Sequence, residues 1–151
     1  MKLLSQFATT MFGLLSGGML LIAMGLVPYW RALDPAEFTV AFGTSLPTVG
    51  GTMIALTILG TGAMVLAAGL AFWKKHPNRI WLAAGAVATI IMLITVPLYF
   101  GSANTLLAGG TLATDAITVE LATWQKMHLF RTTVGIVGFF CAVRAGYISE
   151  K

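Results

Sequence analysis

Met127-His128-Leu129-Phe130-Arg131-Thr132-Thr133-Val134 opens an apolar run that continues to Ile148. Arg131 and Arg144 stand thirteen positions apart in it. At ~1.5 Å per residue a helix carries them roughly 20 Å, well short of a hydrocarbon core of ~30 Å. Both guanidinium groups therefore cannot clear the lipid if this helix spans it. Arg144 snorkels to the near surface. Arg131, with His128 one turn before it, is left at membrane depth towards the far surface, where ionisable groups are costly and mark function.

The rest of the chain supports a membrane setting. Hydrophobic residues make up 58% and charged residues 9% of the 151 positions, and the mean hydropathy is +0.89. Soluble domains carry about 25% charge. An integral membrane protein follows, too short for a second domain of ordinary size. The net charge of +4 comes from Lys and Arg scattered at the ends of apolar segments. That placement suits topology signals, not nucleic-acid binding. The single cysteine, Cys141, lies inside the last apolar run and has no internal partner. The apolar stretch from Phe7 to Val27 is longer than a secretory h-region of ~7–15 residues, so it reads as a retained first span.

Four spans are expected, at about 6–27, 48–73, 80–100 and 124–147. Nothing alternates with the period of a β-barrel. The fold class is all-α: an integral membrane four-helix bundle in a single domain. Lys2, Lys74, Lys75, Arg79, Arg144 and Lys151 fall on one side, and Arg31 and Lys126 on the other. The positive-inside rule then puts both termini in the cytoplasm and the chain in the cell (inner) membrane. Asp34-Pro35-Ala36-Glu37 carries the signature of a helix start, with Asp as cap, Pro at the first helical position and Glu at the third. It predicts a short extra helix in the first outer loop, leading through Pro47 into the second span. Gly101 to Thr114, rich in Gly, Ser, Thr and Ala, reads as a loop, and Thr114-Asp115 as a cap for the last helix. Small residues that allow close helix approach recur as Gly13, Gly17 and Gly18, as Gly60, Gly62 and Gly69, as Ala84 and Ala88, and as Gly135 and Gly138.

Chemistry concentrates on the fourth helix. Glu120, Trp124, His128 and Arg131 recur at spacings of four, four and three, so they share one face. The stripe offers a carboxylate, an indole donor, a titratable imidazole and a permanent cation. Such a set can bind an anionic or phenolic group, with His128 moving a proton while Arg131 stabilises an oxyanion. The structural alternative is an ion pair in which Glu37 or Asp34 neutralises Arg131. Tyr99, Asn104 and Trp30 lie near the same end. Pro28 and Pro97 there free backbone carbonyls that can line a cavity. A zinc site needs three or four ligands, and with only His128 and a few carboxylates at this end no metal site is expected. His76 lies at the opposite end, which argues against a bis-histidine haem.

Trp124-Gln-Lys-Met-His128-Leu-Phe-Arg131 resembles the W-x-x-x-H-x-x-R signature of the small four-helix membrane proteins grouped with the anthrone oxygenases. The likeness extends to four spans, the proline ending the first helix (Pro28), the polar outer segment after it, and a proline near the end of the third. That family tends to have an asparagine two residues after this last proline; here Tyr99 follows Pro97, and Asn104 lies further on. The resemblance implies cofactor-free oxygenation of a lipophilic phenolic or anthrone-type ring. It gives His128 the role of base, makes Arg131 the enolate's partner and packs Trp124 on the ring. By their position near the same end, Glu37, Glu120, Tyr99 and Asn104 are candidates for substrate binding or ion pairing. Two readings stay open: an enzyme acting on a lipophilic aromatic substrate, or an accessory subunit of a larger membrane complex. Membrane lipids are expected neighbours in both.

Overall fold

Three prolines shape three of the four long helices. The computed structural model describes residues 2–148, so Lys151, counted in the charge balance above, lies outside it. The first long helix comprises α1 (Lys2–Leu21), a π-helical turn (Ile22–Leu26) and α2 (Val27–Ala32). The second comprises α3 (Pro35–Ser45), a π-helical turn (Leu46–Gly50) and α4 (Gly51–Trp73). The third comprises α5 (Arg79–Thr95), a π-helical turn (Val96–Phe100) and α6 (Gly101–Ala108). The fourth, α7 (Thr114–Ile148), runs 35 residues unbroken.

Each interruption sits at a proline: Pro28 just after the first, Pro47 and Pro97 inside the others. Proline lacks an N–H and its ring clashes with the carbonyl four residues back. Here the helix widens instead of breaking. The Val27 N–H reaches back to the Ile22 carbonyl and the Gly101 N–H to the Val96 carbonyl. Such single wide turns occur frequently at functional sites.

Four helices are long and apolar enough to cross a membrane. Each packs against its neighbour in the chain, and the fourth closes on the first. Apolar side chains such as Leu14, Leu21, Ile58, Val87, Ile94 and Val137 point outward, as a lipid-facing surface requires.

The short helix after Asp34 forms as expected. The Asp34 side chain accepts from the Ala36 and Glu37 N–H groups at 3.0 and 2.9 Å. It is continuous with the second span, through the turn at Pro47. The stretch from Gly101 to Thr114 corrects the expected loop: its first eight residues are α6. Ser102 and Thr105 turn their hydroxyls back onto the Tyr99 and Gly101 carbonyls, while Ala103 and Leu107 are buried. Packing here outweighs a weak local propensity. Only the segment around Gly110, whose φ is +65°, is a tight connection.

The core has two halves of different character. Towards the end carrying the chain termini it is built from small and flexible residues, among them Ala8, Ala67, Ala71, Met64, Met92 and Ala142. Towards the far end it is aromatic, with Trp30, Phe38, Phe42, Phe100 and Trp124. Glycines let the first half close tightly. A Cβ on Gly138 would stand 2.4 Å from the Ala88 Cβ and 2.7 Å from the Phe12 ring, and one on Gly13 would stand 2.9 Å from Phe139. The Gly13/Gly17 pair thus serves packing within the bundle through Gly13, whereas Gly17, Gly62 and Gly69 meet nothing within 4 Å, and Ala84 is exposed.

Gly138→Ala should therefore destabilise the bundle by about 1–3 kcal/mol through overpacking. Gly69→Ala should be neutral, or stabilising by roughly 0.5–1 kcal/mol from helix propensity. Thermal unfolding of the two variants in one detergent checks the contrast; equal shifts would contradict the close approach of the third and fourth helices.

Candidate functional site

The two halves of the core meet at one level, and there the bundle is not filled. A cavity of about 400 Å³ opens between the helices, within the range of small-molecule sites. All three π-helical turns border it, through Ile22, Val49 and Gly50, and Val96 and Phe100. Widened turns hold the helix walls apart, and α7 supplies the chemistry.

His128, Trp124 and Arg131 line the cavity together, with relative exposures of 2, 6 and 6%. The imidazole lies flat on the Trp124 indole, ring centroids 4.8 Å apart and planes 7° from parallel. One turn of helix between the two residues makes this stacking possible. The His128 Nε2 lies 3.0 Å from the Met19 carbonyl oxygen of α1. A carbonyl only accepts, so Nε2 carries the hydrogen, and in the neutral ring Nδ1 holds the lone pair. Among the described residues no group bonds Nδ1. Stacking fixes the ring plane and the Met19 contact fixes the tautomer.

Trp124 is itself held. Its indole N–H donates to the Asn104 Oδ1 at 2.8 Å. Trp30, Phe42 and Phe100 meet it edge-on at centroid distances of 5.8, 6.0 and 5.6 Å, a favoured aromatic geometry. One face of the indole is taken by His128, so Trp124 positions the imidazole while lining the cavity.

The Arg131 guanidinium sits over the Phe100 ring, 4.5 Å from its centroid. That is its sole attractive partner among the described residues. Its Nε is buried without a hydrogen bond, and it forms no ion pair. The alternative in which Glu37 or Asp34 neutralises it is therefore corrected: Glu37 is exposed, and Asp34 is spent capping α3. Phe38 and Phe42 of α3 belong to the aromatic cluster, and of this helix it is Phe42 and Ser45, not Glu37, that line the cavity. A buried charge normally has a partner. This one is left facing a cavity with a cation–π contact alone.

Glu120 and Tyr99 do not join the site. The Tyr99 hydroxyl donates to the Glu120 Oε1 at 2.9 Å, a bond between the third and fourth helices outside the cavity wall. The face shared by Glu120 and Trp124 thus divides: its outer part staples helices and its inner part lines the cavity. Arg31 and Gln125 make a similar tie at 3.1 Å. Phe100, Met19 and Phe42 are the participants that sequence reasoning missed. The available signal was Pro28, Pro47 and Pro97 together, which mark the widened turns around the cavity.

No protein-family model, curated protein or solved structure matches the chain.

An unpaired buried cation costs stability, and removing it does not. Arg131→Met should leave thermal stability unchanged or raise it, because a hydrophobic replacement for a buried charge is often neutral or favourable. Trp124→Ala should cost about 3–5 kcal/mol. Unfolding curves in a common detergent decide this; a large loss for Arg131→Met would reveal a hidden structural partner.

Proposed function

We propose that this chain is a small membrane enzyme that binds a lipophilic, weakly acidic ring compound and oxygenates it without a cofactor. The observation that carries the reading is the unpartnered Arg131 guanidinium beside the cavity, next to an imidazole whose tautomer leaves a base free. A preorganised cation with no resident anion suits an oxyanion that arrives or develops during reaction. The resemblance of Trp124-x-x-x-His128-x-x-Arg131 to the anthrone-oxygenase signature points to the same chemistry.

His128 Nδ1 takes a proton from the acidic carbon of an anthrone-type ring, and the electrons move to the ring oxygen, which Arg131 stabilises. The carbanion adds to dioxygen. The proton returns from His128 to the peroxide, giving a hydroperoxide. Loss of water then leaves a carbonyl where a CH₂ had been, so one oxygen atom enters the product and the other leaves as water. Phe100 holds the guanidinium by its face, which leaves the N–H edge for the substrate.

As an accessory subunit, the chain would offer its polar stripe to a partner protein. The inner part of that stripe is buried, which favours the enzyme reading. With positive-inside orientation, the cavity lies in the outer half of the cell membrane, both termini being cytoplasmic. Reporter fusions to the two termini and within the segment around Gly110 test that orientation.

His128→Ala should lower turnover by about 10²–10⁴-fold, and Arg131→Met by about 10²–10³-fold. Both should retain the helical content of the parent. Oxygen consumption by the purified protein with an anthrone-type substrate is the measurement. Native rates in His128→Ala would remove the base from the mechanism.

A further inference from the structure

The cavity has a side door. The second and third helices touch through α3 against α6 at the far end and through α4 against α5 towards the terminal end. Between these contacts lie the two π-helical turns with Pro47 and Pro97. Among the residues lining the cavity, the exposed ones sit here: Pro47, Gly51 and Ile54 on one helix, Gly101 and Thr105 on the other. Above the cavity, Trp30, Phe38, Phe42 and Trp124 form a contiguous aromatic layer. There α3 packs on α6, and a Cβ on Gly43 would be in ordinary contact, 3.5 Å from the Ala108 carbonyl oxygen. The opening therefore faces the surroundings of the bundle sideways, where the outward residues are apolar, and not the water beyond its far end.

We infer that the substrate reaches His128 and Arg131 laterally from the lipid, between the second and third helices, and that it is a membrane-dissolved weak acid that is neutral on arrival and ionised only inside. This rests on the function proposed above and narrows its substrate class. A permanent anion such as a sulfonate or a phosphate would have to shed its hydration to pass an apolar frame, at a cost of several kcal/mol. A phenol or an enolisable ketone passes uncharged. Once inside, its proton moves to His128 Nδ1 and the oxyanion pairs with Arg131, so the positive charge on the protein rises only as the negative charge on the ligand appears. The apolar body then occupies the cavity beside Met53 and Phe42, and any tail extends through the window into the acyl chains.

Gly51 gives a clean handle on the window. It lines the cavity, is exposed, and a Cβ on it meets nothing within 4 Å. A side chain there starts at the rim of the opening from a Cβ that displaces no neighbour. Thr105, on the facing helix, offers a second position. Gly62, exposed on α4 away from the cavity and also without neighbours within 4 Å, is the matched control.

The test uses the full chain in liposomes, with a photoreactive phenol, para-hydroxybenzophenone bearing a decyl chain, as probe. Cross-linked positions are mapped by mass spectrometry after short illumination. Labelling of the native protein should fall on cavity residues such as Met19 and Met53. Gly51→Trp and Thr105→Trp should slow it by about tenfold or more, and Gly62→Trp should leave it unchanged. Arg131→Met should weaken it by about ten- to a hundredfold, the worth of a hydrogen bond to a charged group. The sulfonated analogue of the probe should not label the cavity. If both tryptophan variants label at the native rate while Arg131→Met does not, the lateral route is wrong and the site stands. If the sulfonated analogue labels as well as the phenol, neutrality on arrival is wrong. If Arg131→Met labels like the native protein, the site itself is misassigned and the route falls with it.

Discussion

A guanidinium buried without a counter-ion is the constraint around which this bundle is organised. Arg131 is buried in the bundle, and among the described residues its one attractive partner is the face of Phe100. In an apolar interior such a charge is costly unless it is paired. Folding tolerates it because the surrounding wall is open instead of packed. The cavity keeps the unpaired N–H groups from being crushed against hydrocarbon, and the cation–π contact offsets part of the desolvation.

The architecture divides its labour along the bundle axis. Alanine, glycine and methionine let the terminal half of the helices close to backbone-to-side-chain contact, with Gly138 against Ala88 and Phe12 as the tightest point. That half is a clamp. In the other half, proline-driven π-helical turns widen three helices, and large aromatic rings roof the space that results. The fourth helix has no such turn. Its unbroken geometry keeps Trp124, His128 and Arg131 in register on one face, so the stacked indole and imidazole stay aligned while the other three walls bow away. Met19 and Asn104, from the first and third helices, lock that pair by one hydrogen bond each.

Much of this was legible in the sequence, and the reasons are specific. Thirteen positions between two arginines are too few to span lipid, so Arg131 is expected away from bulk water, and it is buried in the bundle. The spacing of Trp124, His128 and Arg131 put them on one face, and the cap at Asp34 was written in four residues. What escaped was whatever depends on neighbours distant in sequence. Glu120 shares the helical face yet is drawn to Tyr99, because the third helix happens to present a hydroxyl at that height. α6 looked like a loop because its composition is poor in helix formers, and only burial of Ala103 and Leu107 against the aromatic layer makes it a helix. The pairing of Arg131 with an acidic residue of the first outer segment was a reasonable expectation from charge alone. It fails because Asp34 is committed to its own helix and Glu37 lies on the solvent side of α3.

A density map of the protein in lipid nanodiscs, at a resolution that separates ligand from acyl chain, is the decisive measurement. An oxygen of a bound small molecule or water should lie within about 3 Å of the Arg131 guanidinium, with apolar density leading from it towards the window between Gly51 and Thr105. A carboxylate side chain of this protein paired with Arg131, or side chains filling the cavity and leaving no space beside His128, would contradict it.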